Sequence, residues 1–337
     1  MRFIGVDLHS NSLTACYLDE NGSEEMHMFA LKELPQFQAS LRSGDRLAVE
    51  ATGNTRHFVG VVKSLVSKVV VVNPNQFEVI RKSVKKTDRH DARTLALFLS
   101  KDMLPESRLK EPAHAQLNSV AHTRDKLVKL RTTLINKLHA LHVATGIKSK
   151  KSSFHSVKGL RAALERQWDE LTRAELEVIV SQIGSLNQGV KRLDQQLCEH
   201  GQRLNGHRNL TSIKGIGDKS AALLLSVIGN VSDFAGEDKL ASYFGLVPRV
   251  ANSNETIRHG RITKRGSKLG RTTLVQCTLV AVRYSRYLKN FYERIKQKKG
   301  AGKAIIAAAR KFLGIIYRTL KYNWVFADFP NFVLAEN

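Results

Sequence analysis

Four carboxylates in the first hundred residues stand where they could hold metal ions. Asp7 and Glu50 each end a short apolar run, and Asp88 and Asp91 stand three residues apart where a helical pattern opens. Residues at i and i+3 share one face of a helix. Carboxylate oxygens suit Mg²⁺, and two such ions can clamp the attacking and leaving oxygens of a phosphoryl transfer. The four residues therefore predict a two-metal Mg²⁺ site.

Each acid alone has a simpler interpretation, as a strand-end carboxylate at a turn or as a helix cap. Acids suit the first turn of a helix, but one acid is enough for a cap, and here a second follows among several basic residues. His9 and His90 stand beside these acids. They could contact a ligating carboxylate or a phosphate, and the sequence favours neither role. A zinc site would need softer ligands at tighter spacing.

The segments around these acids predict an α/β domain. Residues 31–41 and 56–66 have helical periodicity, and Asn21-Gly22 is a turn pair that joins two strands of a meander. The predicted strands are 2–8, 13–18, about 26–30, 47–50 and 69–72, the last stopped by Asn73-Pro74. Two strand ends and a helix start would bring the acids together, which favours a metal-dependent nuclease or recombinase core of the ribonuclease-H type.

The middle of the chain predicts a helical spacer. Apolar residues recur at alternating spacings of three and four in 117–141, where Arg124 and Arg131 interrupt the series, and without interruption in 176–197. Such heptads predict two long helices that pair within the chain or between chains, and an ordinary helical hairpin is the simpler alternative. Pairing between chains would make a homodimer or tetramer. A polar, basic loop at 148–153 separates the two runs.

The charge of the chain points to a polyanionic partner. The formal net charge is +24 and the isoelectric point is about 10.1. Residues 249–321 hold 19 Lys or Arg against two acids. Nucleic acid is the expected partner and an anionic membrane the rival, but no apolar run approaches the ~18 residues of a membrane span. An early charge argues against a signal peptide, and three scattered cysteines argue against disulfides. We expect a cytoplasmic, nucleoid-associated protein.

The last third predicts the nucleic-acid interface. Lys214, Gly215 and Gly217 lie between two apolar helical stretches, in a pattern that resembles a helix-hairpin-helix. In that motif glycines let backbone amides approach a phosphate at the start of the second helix, although a plain tight helix turn is the alternative. The basic residues further on that we expect at phosphates are Arg258, Arg261, Lys264, Arg265, Lys268 and Arg271.

Taken together, these motifs resemble the DEDD transposases of the IS110 family. The stretches that resemble its first four signatures are 3–9 (FIGVDLH), 49–53 (VEATG), 72–74 (VNP) and 86–93 (KTDRHDAR). The stretches that resemble its second domain are 213–217 (IKGIG), 243–249 (YFGLVPR) and 260–266 (GRITKRG). The resemblance covers nearly the whole chain in order, and it assigns the acidic tetrad to Asp7, Glu50, Asp88 and Asp91.

The resemblance also implies a domain plan and a mechanism. It implies a RuvC-like catalytic domain at 1–112, a coiled-coil spacer at 113–205 and a mainly helical C-terminal transposase domain at 206–337. Family members use a serine of the second domain as a nucleophile that becomes linked to DNA. Ser253 is the matching residue, with Asn254 where the family usually has glycine. The implied partners are DNA, at the element ends and the target, and a structured non-coding guide RNA.

Three other functions fit parts of the sequence. A RuvC-like junction-resolving endonuclease would share the tetrad but would use water as the nucleophile. A non-catalytic nucleic-acid-binding protein would leave four carboxylates beside phosphate unexplained. An actin-like sugar kinase would need further glycine-rich phosphate loops, and no Gly-Gly pair occurs in the chain.

Overall fold

The computed structural model describes residues 1–73, 77, 87–253 and 256–335, with side chains described for these except at 250–259. The described chain forms two compact units, Met1–Leu109 and Lys110–Asn337. Pro74, Lys86 and Asn254, which the sequence motifs include, lie outside the described residues. The predicted boundaries after residues 112 and 205 stay predictions.

The first unit is built on a five-stranded sheet of order β3-β2-β1-β4-β5. The first three strands are an antiparallel meander, whereas β4 runs parallel to β1 and β5 runs parallel to β4. The strands are β1 (Arg2–Leu8), β2 (Ser12–Asp19), β3 (Glu24–Ala30), β4 (Arg46–Glu50) and β5 (Lys68–Val72). All five predicted strands are thereby confirmed. Strands β1, β2, β4 and β5 are largely buried and nearly continuously apolar, whereas β3 is mostly exposed.

Helices cover both faces of this sheet. The even-numbered residues of β1, such as Ile4 and Val6, pack with α1 (Leu34–Ser40) and α2 (Thr55–Val62). The odd-numbered residues face α3 (Asp88–Ser100), whose Ala92, Leu95, Ala96 and Leu99 form the second core layer. Residue parity along β1 therefore decides which helix each side chain meets.

A pair of long helices begins the second unit. Helix α4 (Pro112–Ala144) packs against α6 (Glu170–Gly201), and a 3₁₀ turn (Lys151–His155) and α5 (Val157–Leu164) lie between them in the chain. The heptad residues of α6 that the structure buries are Leu176, Ile179, Ile183, Val190 and Leu197. Of the two predicted pairings, within the chain or between chains, the structure shows the one within the chain. Because these residues are buried in one chain, the heptads no longer support the predicted homodimer or tetramer.

The polar interruptions of the heptads are paired across the two helices. Arg124 on α4 donates from Nε to Asp194 Oδ1 on α6 at 2.7 Å, and Lys219 Nζ donates to Asp194 Oδ2 at 3.1 Å. Arg131 donates to Asn187 Oδ1 at 3.0 Å. Burial alone would raise the pKa of Asp194, but the hydrogen bonds from Arg124 and Lys219 outweigh it and hold that pKa below its ordinary value.

The remainder of the second unit is mostly helical. Its core residues include Leu224, Phe244, Leu274, Phe312 and Ile316. Its helices are α7 (His207–Thr211), α8 (Asp218–Ile228), α9 (Glu237–Tyr243), α10 (Lys268–Tyr284), α11 (Arg286–Lys299) and α12 (Ala301–Lys321). Two small hairpins accompany them, β6 (Pro248–Ser253) with β7 (Thr256–Ile262) and β8 (Phe326–Asp328) with β9 (Val333–Leu334).

The predicted fold class is thus confirmed at the level of an α/β first part followed by a mostly helical remainder. The β6–β7 hairpin was not expected in the C-terminal part. Among the described helices, none combines the length and apolar character that crossing a membrane requires.

Candidate active site

Strand register places Asp7 and Glu50 on the same face of the sheet. β1 and β4 are parallel neighbours with Val6 opposite Val49, so the next residue of each strand lies at the same level. Side chains alternate along a strand, and those at matching positions of parallel neighbours point to one face. Ala48, two residues before Glu50, packs in the core layer under α3. The acids therefore emerge where α3 begins.

A close backbone approach fixes the start of α3 beside Asp7. A Cβ atom on Gly5 would lie 2.0 Å from the Ala92 carbonyl oxygen and 2.4 Å from the Ala96 amide nitrogen. Real Cβ atoms do not come this close to backbone, so only glycine lets the helix lie against β1. Ala92 directly follows Asp91, and Gly5 lies two residues before Asp7. The contact thus holds the end of β1 that carries Asp7 next to the start of α3 that carries Asp91.

Helix α3 is capped without its aspartates. Thr87 is the N-cap residue, and its Oγ1 accepts a hydrogen bond from the His90 amide at 3.2 Å. Asp88 and Asp91 occupy the first turn, where the partial positive charge of the helix N-terminus favours carboxylates. Since a threonine already serves as the cap, capping does not explain why two acids stand here.

The structure brings Asp7, His9 and Asp88 together. His9 Nε2 lies 3.2 Å from Asp7 Oδ2 and 3.5 Å from Asp88 Oδ1. One candidate ligand atom from each of the three residues lies within 4.8 Å of the others, a spacing that a single divalent cation can span. The side chain of Asp7 is 13% exposed and that of Asp88 is 48% exposed, so the group opens towards solvent from a half-buried base.

The charges at this site act on each other. Burial raises the pKa of Asp7 above its ordinary value, His9 opposes the shift, and the nearby carboxylates of Asp88 and Asp91 raise it further. Asp91 is thus close enough to Asp7 to disfavour the charge on Asp7, and the Oδ1 atom of Asp91 is buried. A bound cation would relieve the repulsion between carboxylates that lie this close together.

The loop after Glu50 is hydrogen-bonded to the backbone of His9. Thr55 Oγ1 donates to the Glu50 carbonyl oxygen at 2.8 Å, and Asn54 Nδ2 donates to the His9 carbonyl oxygen at 2.8 Å. Thr52 Oγ1 in turn donates to Asn54 Oδ1 at 2.9 Å. The 49–53 motif therefore does more than present one carboxylate, because its continuation tethers the backbone at His9.

His9 is the site residue that the sequence left unassigned. It stands two residues beyond Asp7, and residues i and i+2 of an extended chain face the same side. That spacing was the signal that could have placed it with Asp7. The sequence assigned His90 no role either, and its backbone amide bonds the Thr87 cap.

The predicted nucleophile lies in the hairpin of the second unit. Ser253 is the last residue of β6, and its backbone pairs with Thr256, the first residue of β7. The side chains of Ser253 and Arg258 lie outside the described part of the chain. A two-stranded element, which the sequence analysis did not predict, thus contains Ser253.

The predicted phosphate contacts fall into two groups. Lys214, Gly217, Arg261, Lys264, Arg265 and Lys268 are exposed. Arg271 is partly buried and donates from Nη1 to the Phe244 carbonyl oxygen at 2.9 Å, and this burial lowers its pKa. Gly215 has φ +108°, and a Cβ there would lie 2.8 Å from the Ala281 amide nitrogen of α10. Helix packing alone therefore accounts for Gly215, and Arg271 already has a structural partner.

Comparison with known proteins finds two family models that match this chain. Residues 4–145 match the family DEDD_Tnp_IS110, described as "Transposase", and residues 207–293 match the "Transposase IS116/IS110/IS902 family". The chain belongs to the IS110 family of transposases. Asp7, Glu50, Asp88 and Asp91 all fall in the first matched region, and Ser253 falls in the second.

Two relatives are similar along almost their full length. The transposase for insertion sequence element IS1111A of Coxiella burnetii is 25% identical over 334 residues, which cover 95% of this chain and 90% of the relative. The pilin gene-inverting protein of Moraxella lacunata is 28% identical over 344 residues, covering 95% and 96%. As an IS110-family transposase, the chain is a DNA recombination enzyme that acts by phosphoryl transfer.

Proposed function

We propose that the enzyme cleaves and rejoins DNA strands of an insertion sequence at a two-metal site formed by Asp7, Glu50, Asp88 and Asp91. The observation that carries this proposal is the approach of Asp7, His9 and Asp88 ligand atoms to within 4.8 Å, with Asp91 near enough to shift the pKa of Asp7. The strand order β3-β2-β1-β4-β5, with a leading antiparallel meander, supports a RuvC-like, ribonuclease-H-type assignment for this unit.

The donor set fits Mg²⁺. Carboxylate oxygens dominate it, and hard oxygen ligands suit this ion. When bound, Mg²⁺ would supply charge stabilisation at the reacting phosphate. Asp7, from the half-buried base of the site, and Asp88, from its rim, would hold the ions. His9 would orient Asp7 through the 3.2 Å contact, or serve as a ligand itself.

We propose that strand transfer passes through a covalent link at Ser253. In that step the serine oxygen forms a bond to phosphorus, the phosphodiester bond to the leaving sugar oxygen breaks, and the serine proton passes to a base while the leaving oxygen gains one. The phosphodiester energy is conserved in the link, so attack by a new sugar hydroxyl restores both the strand and the serine. The cations of the hairpin region, Arg261 and Lys264 among them, would offset charge on the phosphate.

The proposed partners are the DNA of the element ends and target, with a structured non-coding RNA as guide. The excess of positive charge in the C-terminal third supports a nucleic-acid partner there. The guide RNA rests on the family resemblance. A homodimer or tetramer is likewise proposed, as strand exchange joins two DNA sites, and a nucleoid-associated cytoplasmic protein is the expected setting.

A suicide substrate tests the covalent step. Full-length protein is incubated with element-end DNA that is nicked beside the exchange point, which prevents rejoining, and the denatured products are digested for mass spectrometry. We expect a nucleotide adduct on the peptide that contains Ser253, lost in Ser253→Ala and retained in the matched control Ser232→Ala.

Two results would contradict the covalent step. Cleavage by Ser253→Ala at the wild-type rate would indicate that water is the nucleophile, as in a junction-resolving endonuclease. An adduct on Thr256, Thr263 or Ser267 would assign the attack to another hydroxyl. Ser267 already caps α10, where its Oγ accepts from the Gly270 amide at 3.0 Å.

A further inference from the structure

Helix α11 carries a row of aromatic and cationic side chains along one face. Tyr287, Asn290, Phe291 and Arg294 are spaced at i, i+3, i+4 and i+7, which is one face of a helix. Lys311 of α12 joins them, with its Nζ 4.3 Å from the Tyr287 ring centroid and 4.4 Å from the Phe291 ring centroid. We call these five residues the α11 face.

The rings of this face are available for contact. Tyr287 is 57% exposed, so much of its ring can be reached from solvent. The guanidinium carbon of Arg294 lies 5.5 Å from the Phe291 centroid, so a second cation borders the same rings. Helix α11 as a whole has six Lys or Arg against one Glu. The face thus combines exposed π surface with positive charge.

Two depressions adjoin these rings, and their charges differ. The larger, about 470 Å³, includes Glu237 and Asp238, which pair with Arg318 at 2.8 Å and Arg310 at 2.7 Å. The smaller, about 230 Å³, is lined by the five residues of the α11 face. No acidic side chain among the described residues lines the smaller one. A negatively charged ligand is therefore favoured in the smaller depression.

We propose that the α11 face binds an unpaired nucleotide, with its base stacked on Tyr287 and its phosphates at Arg294 and Lys311. Aromatic rings bordered by cations are the means by which proteins hold single strands, since every base has a π face. A base inside a duplex is stacked on its neighbours and cannot reach such a ring. The Asn290 amide offers a donor and an acceptor to the base edge. This inference extends the proposed nucleic-acid partnership to single-stranded segments.

Binding of single strands to full-length protein tests the proposal. Fluorescence anisotropy with labelled oligothymidylate and oligouridylate, in EDTA so that no strand is cleaved, gives affinities for single-stranded DNA and RNA. We expect Tyr287→Ala to weaken binding about 5- to 150-fold, the effect of losing one base–aromatic stack. Tyr287→Phe should retain most of the affinity, because it keeps the ring. The affinity for a blunt duplex should change much less.

The matched control is Tyr322→Ala, since Tyr322 is 58% exposed and lies just beyond the end of α12. A second variant, Arg294→Gln, should reduce the slope of log affinity against log salt by about 0.7, the value for one phosphate contact on a single strand. An oligothymidylate that contains 5-iodouracil should, on irradiation, crosslink to the peptide that includes Tyr287.

Circular dichroism checks that Tyr287→Ala is folded. The proposal is overturned if this variant binds both oligonucleotides as tightly as wild type does, or if it loses as much affinity for the duplex as for the single strands. A crosslink confined to other peptides would also overturn it. Because EDTA removes cleavage from the assay, these results are independent of the two-metal site. An Asp7 variant that does not cleave DNA would therefore not count against nucleotide binding at the α11 face.

Discussion

Gly5 and Ala92 are in backbone contact, so that a Cβ atom on Gly5 would lie 2.0 Å from the Ala92 carbonyl oxygen. The contact joins the middle of β1 to the first turns of α3. Asp7 lies two residues after Gly5, and Asp91 lies one residue before Ala92. The absence of a side chain at Gly5 thereby lets α3 lie close to β1, which brings Asp91 near Asp7.

Gly5→Ala should therefore impair activity by displacing α3. We expect a loss of about 1–3 kcal/mol in the free energy of unfolding, as for other overpacked cores, and a larger proportional loss of DNA cleavage. The matched control is Gly60→Ala, because a Cβ at Gly60 meets no atom within 4 Å. Urea denaturation and a cleavage assay give the two quantities. Wild-type cleavage by Gly5→Ala would show that α3 need not lie this close.

Asp7→Asn should stabilise the metal-free protein at neutral pH. Burial raises the pKa of Asp7 in the folded state, so its ionisation opposes folding once the pH passes its ordinary value. The variant should therefore gain stability relative to wild type as the pH rises through the raised pKa, and keep that gain at pH 7. Thermal melts in EDTA across this range measure it, while DNA cleavage in Mg²⁺ is lost. A less stable variant at neutral pH would contradict the assignment.

Asp194→Asn should weaken the junction of α4, α6 and α8. The variant loses charged hydrogen bonds from Arg124 and Lys219, and we expect about 1–3 kcal/mol of stability to be lost at neutral pH. The pKa of Asp194 is lowered in the fold, so this contribution is present above its ordinary pKa and disappears as the pH falls through the lowered value.

Asp125→Asn is the matched control for that change. Asp125 pairs with Lys129 one turn away on the surface of α4, a contact typically worth ~0.3–0.5 kcal/mol. Denaturant titrations at neutral and acid pH compare the two variants. Equal losses for both would show that Asp194 does not tie the helices together.

Removing Lys264, Arg265 and Lys268 together should make duplex binding less dependent on salt. Each phosphate contact contributes about −0.9 to the slope of log affinity against log salt, so up to three such steps should be lost. Substitution of Lys32, Lys63 and Lys101, three exposed lysines of the first unit, makes the same change in net charge. Filter binding at several salt concentrations should show a shallower slope in the first variant alone. An unchanged slope would remove these residues from the interface.

The sheet could be predicted because its strands are short apolar runs with clear stops. The first and fourth strands were expected at 2–8 and 47–50, and the structure has them at Arg2–Leu8 and Arg46–Glu50. The heptads of α4 and α6 predicted long paired helices, but not with which partner, since a second helix of the same chain or of another buries the same stripe. Only the contacts in the structure show that the partner is a helix of the same chain.

The candidate site was predictable only in part. Side-chain alternation and i, i+3 spacing placed the acids on common faces. The i, i+2 spacing could also have placed His9 beside Asp7, but the pattern could not show the hydrogen bond from Asn54 to the His9 carbonyl oxygen. Gly215 was interpreted as a phosphate-approach residue, whereas its close neighbour is the backbone of α10. The apolar residues of α11 recur at helical spacing, as Leu288, Phe291 and Ile295 show, but the sequence could not show that Lys311 of the next helix lies against Tyr287 and Phe291.

The most direct measurement is anomalous diffraction from crystals of the protein soaked in Mn²⁺, a substitute for Mg²⁺ that can be located by its own scattering. We predict two manganese ions at the end of β1 and the start of α3, ligated by Asp7, Glu50, Asp88 and Asp91, and their loss from crystals of Asp88→Asn. A protein that cleaves DNA in Mn²⁺ yet binds no manganese at these carboxylates would contradict the account.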